Sequence, residues 1–470
     1  MRRYVLDIDF SQENILTYKE IFAQDFYPCF FVREQTNGWV FGYGEKDKAY
    51  SEFMEINIHT THKTVSVERD VKATLILFYY FHEQRLIISS DYNYFAQQLD
   101  VRGTINQEYL QLTLWDGKTG NASICQHIFP LYPRKMYHFS RDWLTVIPVT
   151  YTPQKITLED MLHQNFCHLT DQNIVWAEIS GWKDSAFLPI LSKKATNFPF
   201  RFVSGQLHTW AVWETQWQTI SGILNFLQLP YEYHLITPDD YPLKNDPVGM
   251  IHHPVEEIYK NSVLWEIAIF KKHRINTVFT GFWGDEAFEN SADPESDFVA
   301  ASDDILSELF TQQLIDDVHA LNARPEILYI DGIFPPSVYD SLISRNNLFI
   351  QHWIWPITPY LNIDAYAYFQ WLYVTKQQFF GTFYEQFDPQ LIWVFAKNTN
   401  MAEYFRQYFR SEYFNNLLQS CVSSTNPLVH YYNQANLKSL FADTRTCDEA
   451  LIEAHDFALY NFVYMSLMLK

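Results

Sequence analysis

The chain lacks any apolar run long enough to cross a bilayer without interruption. Its N-terminus, residues 1–9, carries two arginines and two aspartates where a secretory signal would have an apolar stretch. The least charged segment, residues 346–363, contains Pro356, Pro359 and several amides, which is typical of buried protein and not of a membrane helix. We therefore expect a cytoplasmic protein with no membrane segment.

Cysteine is also scarce, with five in 470 residues. The number is odd, the spacing is wide, and no C-x-x-C pair is followed by histidines, so neither a disulfide framework nor a zinc site is indicated. The five are Cys29, Cys125, Cys167, Cys421 and Cys447. We expect all of them to be reduced thiols of a cytosolic protein.

Charged residues make up only 19% of the chain, and the net charge is −21. A surface of that sign repels a phosphate backbone, which excludes nucleic acid as a general partner. A nucleotide is a different case, because a few backbone N–H groups and one Mg²⁺ can neutralise a small anion locally. Aromatic residues are abundant instead, at 18%, and indicate ring-lined interiors or a partner surface rather than disorder.

Length and apolar patterning together predict two domains. Up to about residue 150, apolar residues alternate or form short runs, as in residues 30–32, 39–41 and 73–81, which is typical of antiparallel strands. From residue 173 short apolar strands alternate with helix-like segments, which is typical of a parallel α/β sheet. The predicted strands of that sheet are residues 174–179, 200–203, 233–236 and 277–280.

Beyond about residue 300 the sequence is mostly helical and ends in an apolar helix over residues 449–469. The change of pattern lies between residues 150 and 170. We predict two domains, residues 1–155 and 156–470. There is no internal repeat and no low-complexity tract.

The first strand of the predicted parallel sheet leads into a loop of small and polar residues, Ser180-Gly181-Trp182-Lys183-Asp184-Ser185, called here the Ser180 loop. Backbone N–H groups and the positive end of the following helix can face a pyrophosphate there. The serine hydroxyls add donors, and Asp184 can hold a bridging Mg²⁺. The alternative is an ordinary strand–turn–helix connection in which Ser180 caps the helix and no ligand binds.

A second loop of this kind, Gly281-Phe282-Trp283-Gly284-Asp285-Glu286, follows the strand at residues 276–280 and is called here the Gly281 loop. Ligands of open α/β sheets bind at the carboxyl ends of the strands, so Asp184 and Asp285 are expected to meet across one metal ion. The alternative is that Asp285 and Glu286 are solvated caps of the next helix.

Ser180-Gly181-x-x-Asp184-Ser185 resembles the S-G-G-x-D-S pyrophosphate loop of the asparagine synthetase family, and residues 280–286 are similar to its G-x-G-G-D-E segment. Similarity continues outside these loops. Residues 352–362 look like the P-F-L-D region of that family, Phe395-Ala396-Lys397 falls at its R-P-K lysine, and residues 87–91 stand at its A-S-E strand. The resemblance therefore spans nearly the whole chain.

The resemblance implies a fold in two parts. The N-terminal part would be an α+β domain, a degenerate Ntn-hydrolase-like antiparallel sandwich. The second part would be an α/β parallel-sheet ATP-pyrophosphatase domain of the HUP type with a helical C-terminal part. The implied activity is that of an ATP- and Mg²⁺-dependent, AMP-forming amide ligase, in which a carboxylate attacks the α-phosphate and an amine then displaces AMP.

The resemblance also implies roles for particular residues. Asp184 and Asp285 would hold Mg²⁺, and Lys397 would act with Asp285 in catalysis by stabilising negative charge on the α-phosphate and the later intermediate. Lys397 could equally be a surface lysine, since residues 398–400 lack the glycine of the family pattern. The nucleotide-binding residues would be Ser180, Gly181, Lys183, Asp184, Ser185 and Gly281.

Family members that hydrolyse glutamine have a cysteine directly after the initiator methionine, whereas this chain has Arg2, and Cys29 lies too far along to replace it. In this respect the chain resembles β-lactam-forming synthetases and lasso-peptide macrocyclases, which use the amine of the substrate itself. The expected substrate is thus a small molecule or peptide with a carboxylate and an amine. The N-terminal domain becomes a scaffold or a docking surface for a partner protein.

Two positions in the loops raise a different possibility. Trp182 stands where the family has a glycine, and that glycine permits close approach of a phosphate. Phe282 stands where β-lactam-forming relatives have a tyrosine that serves with a glutamate as general base, and phenylalanine cannot move a proton. The chain could therefore be a catalytically inactive scaffold or regulatory partner. An ammonia-dependent asparagine synthetase is a third possibility.

Other patterns are weaker. His252-His253 with Glu256 and Glu257 has the composition of a metal site, but a helix start with capping acids explains it as well. The tryptophans of residues 210–213 and 353–355 could stack on an adenine or an aromatic substrate, or simply pack in the core.

Overall fold

The structure is a computed structural model of the chain. It describes residues 3–22, 30–44, 53–70, 74–99, 105–116, 125–150, 152–157, 160, 175–179, 185–187, 190, 200–207, 218, 220–225, 228, 231–244, 260–281, 307–324, 342–361, 363–372, 374–387, 402–422, 425–439 and 441–468.

The N-terminal part contains two antiparallel sheets, as the alternating apolar pattern predicts. Their strands are β1 (Val5–Asp9), β2 (Leu16–Glu20), β3 (Phe30–Gln35), β4 (Gly38–Tyr43), β5 (Met54–His59), β6 (Thr64–Arg69), β7 (Phe78–His82), β8 (Arg85–Ser89), β9 (Ile128–Pro130), β10 (Lys135–Ser140) and β11 (Leu144–Pro148). The first sheet has the order β2-β1-β8-β7-β9, and the second has the order β11-β10-β6-β5-β4-β3.

The two sheets face each other through apolar side chains. In β5 the residues alternate between buried and partly exposed, so that Ile56 and Ile58 point into the core. Tyr79 of the first sheet lies with its ring 5.8 Å from that of Tyr137 and 5.3 Å from that of Phe139, both in the second sheet. This packing makes a sandwich.

Helices complete the N-terminal part, which gives it the predicted α+β character. They are α1 (Tyr92–Gln98) and α2 (Gln107–Asp116). Tyr92 of α1 packs edge-on against Phe78 of β7 at 5.2 Å. Because α1 covers the side of the first sheet away from the second, strand β1 is buried on both faces.

The second part is built on a five-stranded sheet in which every neighbouring pair is parallel. Its strands are β12 (Val175–Glu178), β13 (Phe200–Leu207), β14 (Tyr231–Ile236), β15 (Thr277–Phe279) and β16 (Trp355–Ile357), in the order β14-β13-β12-β15-β16. The four predicted strands are confirmed. The fifth, β16, was not predicted, because Pro356 argues against a strand, although an edge strand can accommodate it.

Helices dominate the chain beyond residue 300, as predicted. The helices of the second part are α3 (Lys260–Lys272), α4 (Gln312–Asn322), α5 (Asn347–Gln351), α6 (Ile363–Trp371), α7 (Lys376–Phe387), α8 (Ala402–Phe409), α9 (Glu412–Cys421), α10 (Gln434–Ser439) and α11 (Glu449–Met468). Helix α11 is apolar over most of its circumference because it packs against other helices on several sides. Within the described ranges, no helix combines the length and apolarity that a bilayer span requires.

The two parts share one continuous apolar core. Helix α2 packs on α4 and α11, where Gln111 donates to Asp317 at 2.7 Å. At a second point, Trp355 of β16 meets the rings of Tyr43 at 5.4 Å and Phe30 at 6.3 Å. The domain boundary at residues 155/156 stays a prediction.

Candidate functional site

The order of the parallel sheet defines a crevice between β12 and β15. The chain goes from β12 outward to β13 and β14 on one side, then returns to form β15 and β16 on the other. Trp176 pairs with Val278 and Ala177 with Phe279, so the two strands end at nearly the same level. Ligands of open α/β sheets bind at such a topological switch point, beyond the carboxyl ends of the strands. Ile179 and Thr280, the residues directly before the Ser180 and Gly281 loops, lie at this edge of the sheet.

Gly281 and Ser185 meet in a contact that leaves no space for a side chain at Gly281. A Cβ atom on Gly281 would lie 2.5 Å from Cα, 2.8 Å from Cβ and 3.0 Å from the backbone nitrogen of Ser185. Ser185 itself is buried. Because the obstructing atoms belong mainly to backbone, the contact depends on glycine for its lack of a Cβ. The structure thus brings together the last residue of the Ser180 loop and the first of the Gly281 loop.

Helices cover both faces of the sheet beside the crevice. Trp176 packs on α3, 5.9 Å from Phe270 and 4.8 Å from His273, whereas Ala177 lies on the opposite face. Residues 185–187 are helical and lie on that opposite face, where Phe187 joins a cluster of rings from α7. The strand therefore leads into a helix directly after the Ser180 loop, as predicted.

The end of β15 is fixed to its neighbour by buried polar groups. The backbone N–H of Thr280 donates to the carbonyl oxygen of Ile357 at 2.9 Å, and the hydroxyls of Thr280 and Thr358 are 3.4 Å apart. Both threonines are buried. Close by in sequence, the fully buried carboxylate of Asp364 accepts a hydrogen bond from the backbone N–H of Gln154 at 2.6 Å. This last bond ties the segment at residues 152–157 to the start of α6.

A buried group of charged side chains lies below the crevice, and the sequence analysis missed it. Arg345 Nη2 donates to Glu178 Oε1 at 2.7 Å and lies 3.3 Å from Glu266 Oε2. Each of the three side chains is no more than 9% exposed. The only hint in the sequence was a glutamate inside the otherwise apolar strand Val-Trp-Ala-Glu-Ile; its partner lies 167 positions away.

Two of the predicted site residues, Ser185 and Gly281, are described and are in contact. The others lie outside the described residues, so their positions stay predictions: Ser180, Gly181, Lys183, Asp184, Asp285 and Lys397. The same holds for Trp182, Phe282, the His252-His253 segment and the tryptophans of residues 210–213. Among side chains that are described, no group of three or more His, Cys, Asp or Glu is arranged to hold a metal ion.

Two other expectations can be compared with the structure. Trp355 is fully buried against Phe30 and Tyr43, which supports core packing over a stacking surface for this ring. Three of the five cysteines are described, and each is a reduced thiol rather than half of a disulfide. Of these, Cys125 is buried, and burial raises the pKa of its thiol.

Comparison with known proteins adds little to this geometry. No family model matches the chain, and no curated protein matches it. Among solved structures it is similar to glutamine phosphoribosylpyrophosphate amidotransferase from B. subtilis, complexed with ADP and GMP. The two chains are 9% identical with a TM-score of 0.20, over 59% of this chain and 84% of the other. A score that low carries no argument about fold or function, so the resemblance to asparagine synthetases depends on the loops themselves.

Proposed function

We propose that the protein is an ATP- and Mg²⁺-dependent, AMP-forming amide-bond ligase, similar to asparagine synthetases but without glutaminase activity. The observation that carries the proposal is the contact between Ser185 and Gly281 at the switch point of the parallel sheet. It supports a shared site for the two loops whose sequences suit a nucleotide. The small residues at this contact also suit close approach by a pyrophosphate.

The proposed reaction joins a carboxylate to an amine. The substrate carboxylate attacks the α-phosphate of ATP and pyrophosphate leaves. The amine then attacks the acyl carbon of the adenylate, AMP leaves, and the amine loses a proton to give the amide. Ser180, Gly181, Lys183 and Ser185 would bind the pyrophosphate, while Lys397 would stabilise charge on the α-phosphate. Mg²⁺ between Asp184 and Asp285 would neutralise charge on the phosphate oxygens.

The proposed substrate is a small molecule or peptide that carries the carboxylate and the amine. It fits a biosynthetic enzyme for natural products or peptides, since the loops resemble those of β-lactam-forming synthetases and lasso-peptide macrocyclases, which use an amine of the substrate itself. Free ammonia from another source would make the protein an asparagine-forming enzyme instead. A partner protein docked on the N-terminal sheets remains part of the proposal.

A catalytically inactive scaffold is the second candidate. It is favoured by Trp182 and Phe282, because an indole in place of glycine limits the close approach of a phosphate and a phenyl ring cannot move a proton.

ATP–pyrophosphate exchange distinguishes these candidates. The assay would use purified protein with Mg²⁺ and a panel of amino acids and peptides. A ligase gives exchange with at least one substrate, and Asp184→Asn and Asp285→Asn should each abolish it. Asp316→Asn, exposed on α4, is the matched control and should keep full exchange. Aspartate as the best substrate would indicate asparagine formation, and lack of exchange across the panel would favour the scaffold.

A further inference from the structure

The buried group of Glu178, Arg345 and Glu266 connects three elements around the crevice. Glu178 is the last residue of β12, Glu266 lies in the middle of α3, and Arg345 belongs to a π-helical turn, Leu342–Asn346, that precedes α5 and β16. The guanidinium of Arg345 also lies 5.5 Å from the ring centre of Phe349. All three charged side chains are shielded from water, so the geometry of their contacts is tightly fixed.

The two carboxylates are not equivalent. Both face the same nitrogen of Arg345, but the contact to Glu178 is 2.7 Å and that to Glu266 is 3.3 Å. Glu178 is two residues before Ser180, a chain distance of about 7 Å in extended backbone. Glu266 is followed by six more residues of α3, which ends at Lys272. A change at Glu178 therefore acts on the start of the Ser180 loop, whereas the same change at Glu266 acts on a helix.

We infer that the ion pair between Glu178 and Arg345 positions the Ser180 loop by fixing the end of β12 relative to the turn that precedes β16. Arg345 is thus a positioning residue and not a catalytic one. The backbone N–H groups of a phosphate loop act only when they point to a common centre, and their direction follows from the strand that leads into the loop. The amide oxygen of glutamine can still accept from the guanidinium of Arg345 but lacks the negative charge of the carboxylate, so the contact would be weaker.

The test compares Glu178→Gln with Glu266→Gln. Both variants replace a buried glutamate that faces the same nitrogen of Arg345 with glutamine. They differ in the element that the change affects, which is the end of β12 for Glu178 and α3 for Glu266. Two readouts are needed: the Kd for Mg²⁺·ATP from isothermal titration calorimetry, and hydrogen–deuterium exchange of the nucleotide-free protein over residues 175–187. We expect Glu178→Gln to raise both the Kd and the exchange rate about tenfold, and Glu266→Gln to change each less than twofold, at comparable thermal midpoints.

The binding readout rests on the proposed function, and the exchange readout does not. If the wild-type protein fails to bind Mg²⁺·ATP, the ligase proposal fails, while exchange still decides the positioning role. Equal effects of the two variants on exchange at residues 175–187 would overturn the inference. If Glu178→Gln does not fold, Arg345→Lys, which keeps the charge but loses the planar fork, should raise exchange at the same residues. Asp7→Asn, which weakens the 2.7 Å pair with Arg85 in the N-terminal sheets, should leave those residues unchanged.

Discussion

Replacement of Gly281 by alanine tests the contact on which the candidate site depends. The added Cβ would lie 2.5 Å from Cα of Ser185, whereas unstrained carbon atoms approach to about 3.5–4.0 Å. The start of the Gly281 loop and the end of the Ser180 loop would therefore have to separate by about 1 Å. Side-chain rotation cannot relieve the clash, because Cα and the backbone nitrogen of Ser185 are both involved.

The energetic cost follows from overpacking. Extra methyl groups in a closely packed region cost about 1–3 kcal/mol, and the rigid backbone of Ser185 favours the upper part of that range. Alanine at Gly381 provides the matched control, because Gly381 lies in α7 and a Cβ there meets no atom within 4 Å. Alanine is the better helix former, so Gly381→Ala should stabilise the protein by about 0.5–1 kcal/mol. The two substitutions should therefore differ by about 2–4 kcal/mol.

The assay has two parts, urea unfolding for stability and calorimetric titration with Mg²⁺·ATP for binding. Gly281→Ala should lower the free energy of unfolding and weaken binding at least tenfold, because a 1 Å separation disturbs a site that depends on close geometry. Gly381→Ala should leave binding unchanged. If the two variants are equally stable, the described contact between the loops is wrong. If Gly281→Ala is destabilised but binds as tightly as the wild type, the loops meet without forming the nucleotide site.

Three further predictions concern other parts of the chain. Burial and the neighbouring Lys271 lower the pKa of His352 from 6.5 to about 4, so the unfolded state binds the proton more readily and stability falls as the pH drops from 6.5 to 4. Because His352 is partly exposed, we expect solvent to reduce this effect to about 1–2 kcal/mol. Between pH 7 and pH 4.5, the free energy of unfolding of His352→Gln in urea should therefore fall by about 1–2 kcal/mol less than that of the wild type. Edge strand β11 exposes apolar side chains, among them Ile147, which is 46% exposed. Such an edge promotes association between molecules, so Ile147→Lys should reduce the light scattering that increases with protein concentration. Trp355→Ala should cost about 3–5 kcal/mol and speed proteolysis between the two parts, whereas equal proteolysis rates would show that the ring does not join them.

Sequence patterns predicted the parts of the fold that depend on local periodicity. The four predicted strands of the parallel sheet alternate with helix-like segments, and the last helix is largely apolar over 20 residues, so each was recognised. Strand β16 was missed because its central residue, Pro356, argues against a strand, and its place is decided by pairing with β15. The residues of β16 alone do not predict that pairing.

In the candidate site, too, local sequence predicts some features, whereas others depend on how distant parts of the chain come together. The Ser180 and Gly281 loops were recognised because their residue types are unusual after apolar strands. The contact between Ser185 and Gly281 follows from the strand order, which the alternation of strands and helices does not specify. The partnership of Glu178 with Arg345 was out of reach, since it joins the end of one strand to a turn before another. A charged residue inside an apolar strand predicts that some partner exists, but not which one.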